Sequence, residues 1–334
     1  MTTIQDVARE AGVGVGTVSR VLSRHPRVAP ATRARVERAI ERLGYRPSRA
    51  ARALAGGRTH TIAVVVPLLT RHYYFGLLAG IVAALADTEY LLTLRVLERP
   101  EDKVRALDDL ARGGSADGVL LVRTPPTPEL LDRLSGVPLA LIDGAHPAVP
   151  SVGVDHTAAA ATMTEHLISL GHERIALIDR VRDPFDQQVL TARRRGYRNS
   201  LERAGIRRRP EYEPHTEWSA ESGAAALDTL LALPEPPTAV FAGGDTIAIG
   251  VLDRARQRGL TVPGDLSVCG YGDIELARYL ALTTVHVPVA DLGRRGAELL
   301  LQAIDAPPAA PIRERLPSSL VVRATCGPRR PPTQ

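Results

Sequence analysis

Apolar positions in the first 45 residues recur with a helical period. Ile4, Val7, Ala8 and Ala11 share one face, Thr3 stands ahead of them, and Asp6 is placed as its capping-box partner. Gly12 stops that helix as glycine does one position past a last turn, and Gly12-Val13-Gly14 makes a tight turn. A second helix is predicted from Val15 to Ser23, with Val18, Val21 and Leu22 inward. Pro30 sits in the first turn of a third, about residues 31–43, whose buried face carries Val36, Ala39, Ile40 and Leu43 before Gly44 ends it. Residues 46–58 break the pattern. Ser48 can cap a short run from Arg49 to Ala55, which Gly56-Gly57 interrupts. A helix of two turns is marginal alone, so this stretch is predicted to be a linker that orders only with a partner.

From residue 61 the texture changes to solid apolar runs alternating with amphipathic helices. Strands are predicted at 62–66, 91–97, 118–122, 139–142, 175–179, 239–242, 267–271 and 284–286. Helices are predicted at 101–112, 157–170, 189–204, 220–233, 245–258 and 292–304. Such alternation implies parallel sheets covered on both faces. About 270 residues of it is enough for two doubly wound lobes, with a ligand cleft at the carboxyl ends of their strands. The expected fold is thus a small all-α helix-turn-helix domain (1–46), a linker (47–58) and a two-lobed, mostly parallel α/β body (59–334). The chain is expected to cross between lobes near 157–160 and 284–290.

Charge sharpens the division. The chain carries 42 basic and 37 acidic residues, but residues 1–60 hold 12 basic and 4 acidic side chains, while the remainder hold 30 and 33. A module of +8 on a body of −3 points to an N-terminal part that binds a polyanion. Two cysteines, Cys269 and Cys326, are too few for a disulfide scaffold or a multi-cysteine zinc module. No signal peptide or membrane-length apolar stretch is read, and the expected location is the cytoplasm. No H-E-x-x-H, P-loop, C-x-x-C or G-x-S-x-G occurs, so neither enzyme, metal nor cofactor is expected. GVGVG at 12–16 fails as a dinucleotide fingerprint, because Thr17 replaces the third glycine and a helix precedes it.

Helix, glycine turn and a second helix opening on small residues is the pattern of a helix-turn-helix. Small residues let the second helix bring its N-terminal end down to base edges. Val15, Gly16, Thr17 and Arg20 would face the DNA. Arg20 can pair bidentately with guanine, while Thr3, Thr17 and Ser19 can hold phosphates. A plain three-helix packing module with a basic face fits the same pattern.

TIQDVAREAGV, TVSRVLS and TRARVERAIERLGYRPSRAARAL resemble the N-terminal region of LacI/GalR-family transcriptional regulators. DGVLLV, PLALIDG, SVGVD, EHLISLGHERIALI, RGYRNSLERAGI, FAGGDTIAIGVLDRARQRGLTVPGDLSVCGYGDI, LTTVHVPVADLGRRGAELLL and LPSSLVVR extend the resemblance through the body in collinear order. It implies a sequence-specific regulator, expected to be a repressor, that binds a palindromic DNA operator as a homodimer. It implies a body like type I periplasmic binding proteins, sensing a small-molecule effector such as a sugar or related metabolite. The linker would be a hinge helix entering the minor groove, with Arg49 at the DNA, Leu54 as an apolar wedge and Ala51 packed beside it. The heptad tail of tetrameric family members is not read after LVVRATCGPRRPPTQ (320–334), so a dimer is expected.

The resemblance also assigns effector contacts: Tyr73 and Tyr74 as an aromatic pair at the cleft mouth, Asp143 and Arg193 as a polar clamp, Trp218 as a stacking surface, and Asp245 and Asp273. Each has a plainer reading, such as a strand-end cap for Asp143, a solvated helix charge for Arg193 or core for Trp218. The chain departs from the family at Gly244, where Asn is usual, at Gly272, where Asp is usual, and at Val287, where some sugar-sensing members have Gln. The effector is therefore expected to be bulkier or less polar than a plain hexose, or the regulator to lack a small effector. Gly14 and Ala29 replace serines in the DNA module, and Val15-Gly16 offers no polar side chain, so a modest half-site code is expected. A stand-alone cytoplasmic sugar-like binding protein and an α/β enzyme with a helical cap are the rival readings.

Overall fold

The computed structural model describes residues 2–22, 25–45, 58–67, 72–113, 115–180, 185, 187–306 and 308–329. At the N-terminus, α1 (Ile4–Glu10), α2 (Val15–Leu22) and α3 (Pro30–Leu43) enclose Val7, Ala8, Ala11, Val18, Val21, Val36, Ala39 and Tyr45. The capping box forms: the Asp6 amide donates to Thr3 Oγ1 at 3.3 Å and the Thr3 amide donates to Asp6 Oδ2 at 2.9 Å. Gly12 follows α1 at φ +63°, a left-handed conformation that a side chain would strain, and this turn reverses the chain into α2. Ala29 ahead of α3 makes no side-chain cap.

The body begins where Thr59 and His60 donate their amides to the Asp117 carboxylate at 2.6 and 2.9 Å. Six strands then form one all-parallel sheet in the order β10-β5-β4-β3-β1-β2. These are β1 (Thr61–Pro67), β2 (Leu91–Leu97), β3 (Gly118–Val122), β4 (Leu139–Ile142), β5 (Ser151–Val154) and β10 (Arg313–Leu316). The second sheet runs β11-β9-β8-β7-β6, with only β11 antiparallel to its neighbour. It comprises β6 (Ile175–Ile178), β7 (Ala239–Ala242), β8 (Ser267–Gly272), β9 (Thr283–His286) and β11 (Ser319–Val321). The first lobe is covered by α4 (His72–Leu85), α5 (Asp102–Gly113), α6 (Pro128–Arg133) and α12 (Val289–Asp305). The second carries α7 (His156–Ser169), α8 (Gln187–Arg203), α9 (Ala220–Leu231), α10 (Asp245–Gln257) and α11 (Glu275–Tyr279).

The chain passes between the sheets three times. The first passage is at 155–156, just ahead of the expected 157–160, and the second is at 287–288, inside the expected stretch. A third, at 317–318, joins β10 to β11 beyond both. Sequence pattern also passes over β5, β10, β11 and α4. β5 is four residues with a glycine inside, β10 alternates Arg-Glu-Arg-Leu at a sheet edge, and β11 is three residues long. None gives a solid apolar run. α4 is apolar on nearly every side, so it shows no helical period: its inner face holds Tyr74, Leu77 and Ile81, and its outer face Phe75 and Val82.

Candidate effector cleft and DNA-reading face

On α2, Val15, Gly16 and Arg20 are exposed, Thr17 and Ser19 are half-buried, and Val18 is fully buried. The residues expected to read bases thus occupy one outward face, held by a core on the other. Thr3 is exposed, but its hydroxyl and amide are engaged with Asp6, so capping α1 is the role its contacts show. Arg49, Ala51 and Leu54 lie outside the described residues.

Between the lobes lies a cavity of about 460 Å³, lined at the carboxyl ends of the strands by residues of both. Tyr73 on α4 and Arg123 after β3 come from the first lobe; Arg193 on α8, Trp218, Asp245 on α10, Tyr271 on β8, Asp273 and His286 come from the second. Tyr74 does not line it. Successive helical residues point about 100° apart, so with Tyr73 toward the cleft, Tyr74 is driven into the first lobe's core, where it is fully buried. The expected aromatic pair is a single tyrosine, with Tyr74 packed edge-on behind it at 5.3 Å.

Asp143 also sits deeper than expected, beneath the cleft instead of on its surface. It follows β4 at φ +51° with its carboxylate fully buried. That carboxylate accepts from Tyr73 Oη at 2.8 Å, from Arg123 Nη2 at 3.0 Å and from the Val154 amide at 3.2 Å. His156 Nε2 lies 3.3 Å away, and His156 Nδ1 is 2.6 Å from Tyr271 Oη. Burial works to raise the Asp143 pKa, but His156, Arg123 and Tyr73 outweigh it and hold the carboxyl well below the usual range. Burial pushes the Tyr271 phenol up. Arg123 lies 3.7 Å from the centroid of the Tyr73 ring, stacked on it. Asp143 therefore positions Tyr73 and Arg123, and through His156 it ties the first lobe to Tyr271 of the second.

In the second lobe Arg193 pairs in fork fashion with buried Asp179, Nε to Oδ2 at 3.0 Å and Nη2 to Oδ1 at 3.2 Å. Its guanidinium stands 5.1 Å from the Tyr271 ring and 5.6 Å from Trp218. Asp245 accepts from Thr284 Oγ1 at 2.6 Å and from the Ile274 amide at 2.8 Å. Burial raises its pKa, and Asp273 adds to the shift, despite these bonds. Asp273 in turn accepts from Arg323 at 2.7 Å and lies 3.1 Å from His286 Nδ1. Tyr73, Arg193, Trp218, Asp245 and Asp273 are thus brought together. Arg123, Tyr271 and His286 also line the cleft, and His156 and Asp179 contact residues that do, although no site residue was expected at these five positions. Arg123 and Asp179 directly follow the last residue of β3 and β6, and Tyr271 and His286 lie at the ends of β8 and β9. The rule that ligands gather at carboxyl ends of strands would have singled these four out. Among the described residues no cluster of three His, Cys, Asp or Glu side chains could hold a metal.

Residues 3–48 match the model of the bacterial regulatory proteins, lacI family, and residues 164–326 match a periplasmic binding protein-like domain. The ribose operon repressor of Escherichia coli (strain K12) is 34% identical over 332 residues, covering 97% of this chain and 100% of that protein. The chain belongs to the LacI family. Catabolite control protein A of Priestia megaterium is 33% identical over 326 residues, covering 96% of this chain and 95% of its own. Among solved structures of the family, the lac repressor dimer bound to operator and the anti-inducer ONPF superposes with a TM-score of 0.82 at 30% identity, covering 97% and 98% of the two chains. The CelR–cellobiose complex superposes at 0.72 with 34% identity, covering 97% and 100%. As a LacI-family member the chain is a DNA-binding transcriptional regulator with a periplasmic-binding-protein-like body, and not an enzyme. Among the described residues no helix is long and apolar enough to cross a membrane.

Proposed function

We propose that this LacI-family chain is a cytoplasmic repressor that binds a palindromic operator as a homodimer and is tuned by a small molecule in the cleft. The observation that carries the proposal is the buried linkage of Asp143 in one lobe to Tyr271 in the other through His156, directly under the cavity. A ligand touching Tyr73, Arg193 and Tyr271 alters the balance between open and closed lobes only if it binds one arrangement better. The test is an operator gel shift with and without a panel of sugars, nucleosides and acids. Operator binding that no metabolite changes, from a protein that binds none of them, rejects the effector role.

Arg20 is the side chain on the reading face best suited to guanine. Arg20→Ala is expected to cost about 1–3 kcal/mol of operator affinity and to relax selectivity at one base pair, read by operator selection. Within the hinge, Arg49, Ala51 and Leu54 are proposed to meet the minor groove. Leu54→Ala should weaken specific binding and leave the melting of the body unchanged.

The outer face of α4 exposes Phe75 and Val82, and α11 with the residue that caps it exposes Leu276, Tyr279 and Leu280. Apolar exposure on both lobes suits a homodimer contact. Val82→Glu places a charge in that contact, and the expected result by sedimentation is a shift to monomer with weaker operator binding. A variant that remains fully dimeric removes α4 from the interface.

A further inference from the structure

We propose that the cleft selects an uncharged ligand presenting an apolar ring face, over one ringed by hydroxyls or carrying a carboxylate or phosphate; this rests on the cleft being the effector site. The first observation is steric. A Cβ at position 244 would lie 2.4 Å from Trp218 Cζ2 and 2.7 Å from Cη2. Gly244 has φ −165° and ψ 152°, extended backbone that any residue adopts. The backbone therefore does not demand glycine there; the indole does. Gly244 is also the residue ahead of α10, and it supplies no side-chain cap. Where a polar side chain would stand at that helix start, the cleft has an aromatic ring.

The second observation is electrostatic. Among the described residues, each guanidinium lining the cavity already faces a carboxylate, Arg123 that of Asp143 and Arg193 that of Asp179. Both oxygens of Asp245 accept bonds within the second lobe, and Asp273 is paired with Arg323. A ligand charge entering here loses its water and meets counter-charges that are already committed. An uncharged ring loses little on desolvation and gains contact with Trp218 and with the apolar wall formed by Ile274, Val287 and Val289. Thr246 and His286, which also line the cavity, suit the few directed hydrogen bonds that orient a neutral ligand.

Trp218 is the chain's single tryptophan, so its emission reports the cleft alone. The full-length protein is titrated with two neutral ring-faced probes, phenyl β-D-glucoside and adenosine, and with D-glucose and D-gluconate. At least one ring-faced probe is expected to change the emission and to bind about tenfold or more tightly than glucose, with gluconate weakest. Equal or tighter binding of glucose or gluconate overturns the proposal, as does failure of both ring-faced probes. Gly244→Ala tests the ring position without any ligand. The added methyl should displace the indole and shift its emission while circular dichroism stays that of the parent; unchanged emission overturns the proposal. Gel shifts with the same four compounds separate the two readings. A ring-faced ligand that binds without altering operator affinity rejects the effector role and leaves the ring preference standing. Glucose acting on operator affinity more strongly than either ring-faced probe keeps the effector role and overturns the preference.

Discussion

Asp143→Ala is expected to destabilise the protein by about 3–5 kcal/mol, because it removes one side of the buried Asp143–Arg123 ion pair. The same change frees Tyr73 and removes the acidic neighbour of His156, so the link from β4 to Tyr271 is lost together with the first lobe's side of the cleft. Response of operator binding to any effector should disappear with it. Asp143→Asn keeps the shape without the charge and should fall between parent and alanine. The pH dependence follows from the depressed carboxyl. Its folded pKa lies below the unfolded value of about 3.9, so the stability it contributes is complete above that value and is lost as pH falls toward the folded pKa. Urea unfolding of parent and Asp143→Ala at neutral pH and at about pH 3 should therefore show the gap narrowing in acid. A gap that widens in acid would contradict the pairing.

Operator binding is expected to fall about 10³–10⁵-fold between 50 and 200 mM salt, the range for proteins that neutralise roughly 6–10 phosphates. Residues 1–60 carry 12 basic and 4 acidic side chains in each protomer, while the remaining chain carries 30 and 33. Counterion release on DNA therefore comes from the helix-turn-helix and hinge, not from the body. Val15 and Gly16 offer no polar side chain at the reading end of α2, so phosphate contacts should supply an unusually large share of the affinity. A logarithmic plot of affinity against salt gives the slope directly. A flat plot would reject the electrostatic account of the module, and a body lacking residues 1–57 that still binds operator would reject its location.

Particular residues show why part of the site was legible in sequence and part was not. The glycine turn at Gly12, the Thr3–Asp6 box and the inward Val18 are local features, settled by neighbours within a few residues. Arg193, Trp218, Asp245 and Asp273 were found through motif text. Their partners are not marked in the same way: Asp179 and Arg123 fall just past the matching segments, Tyr271 sits inside one without standing out, and all three meet the others only across the sheet ends. Tyr73 and Tyr74 look equivalent in sequence, yet one lines the cleft and the other fills the core. Which of two adjacent helical residues faces a ligand depends on the rotation of α4 against its sheet, and the apolar residues all around α4 conceal that rotation.

By itself, the sequence determined the division into a basic helical reader and a two-lobed α/β sensor. Helical period, solid apolar strands and charge imbalance are all short-range properties of the chain. Tertiary structure alone decided that Asp143 holds the cleft from below instead of lining it, that His156 joins the lobes, and that the indole of Trp218 occupies the space of a missing side chain at Gly244. These depend on contacts between residues roughly 10 to 115 positions apart. Such contacts follow from how two sheets close on each other, a geometry no local pattern encodes.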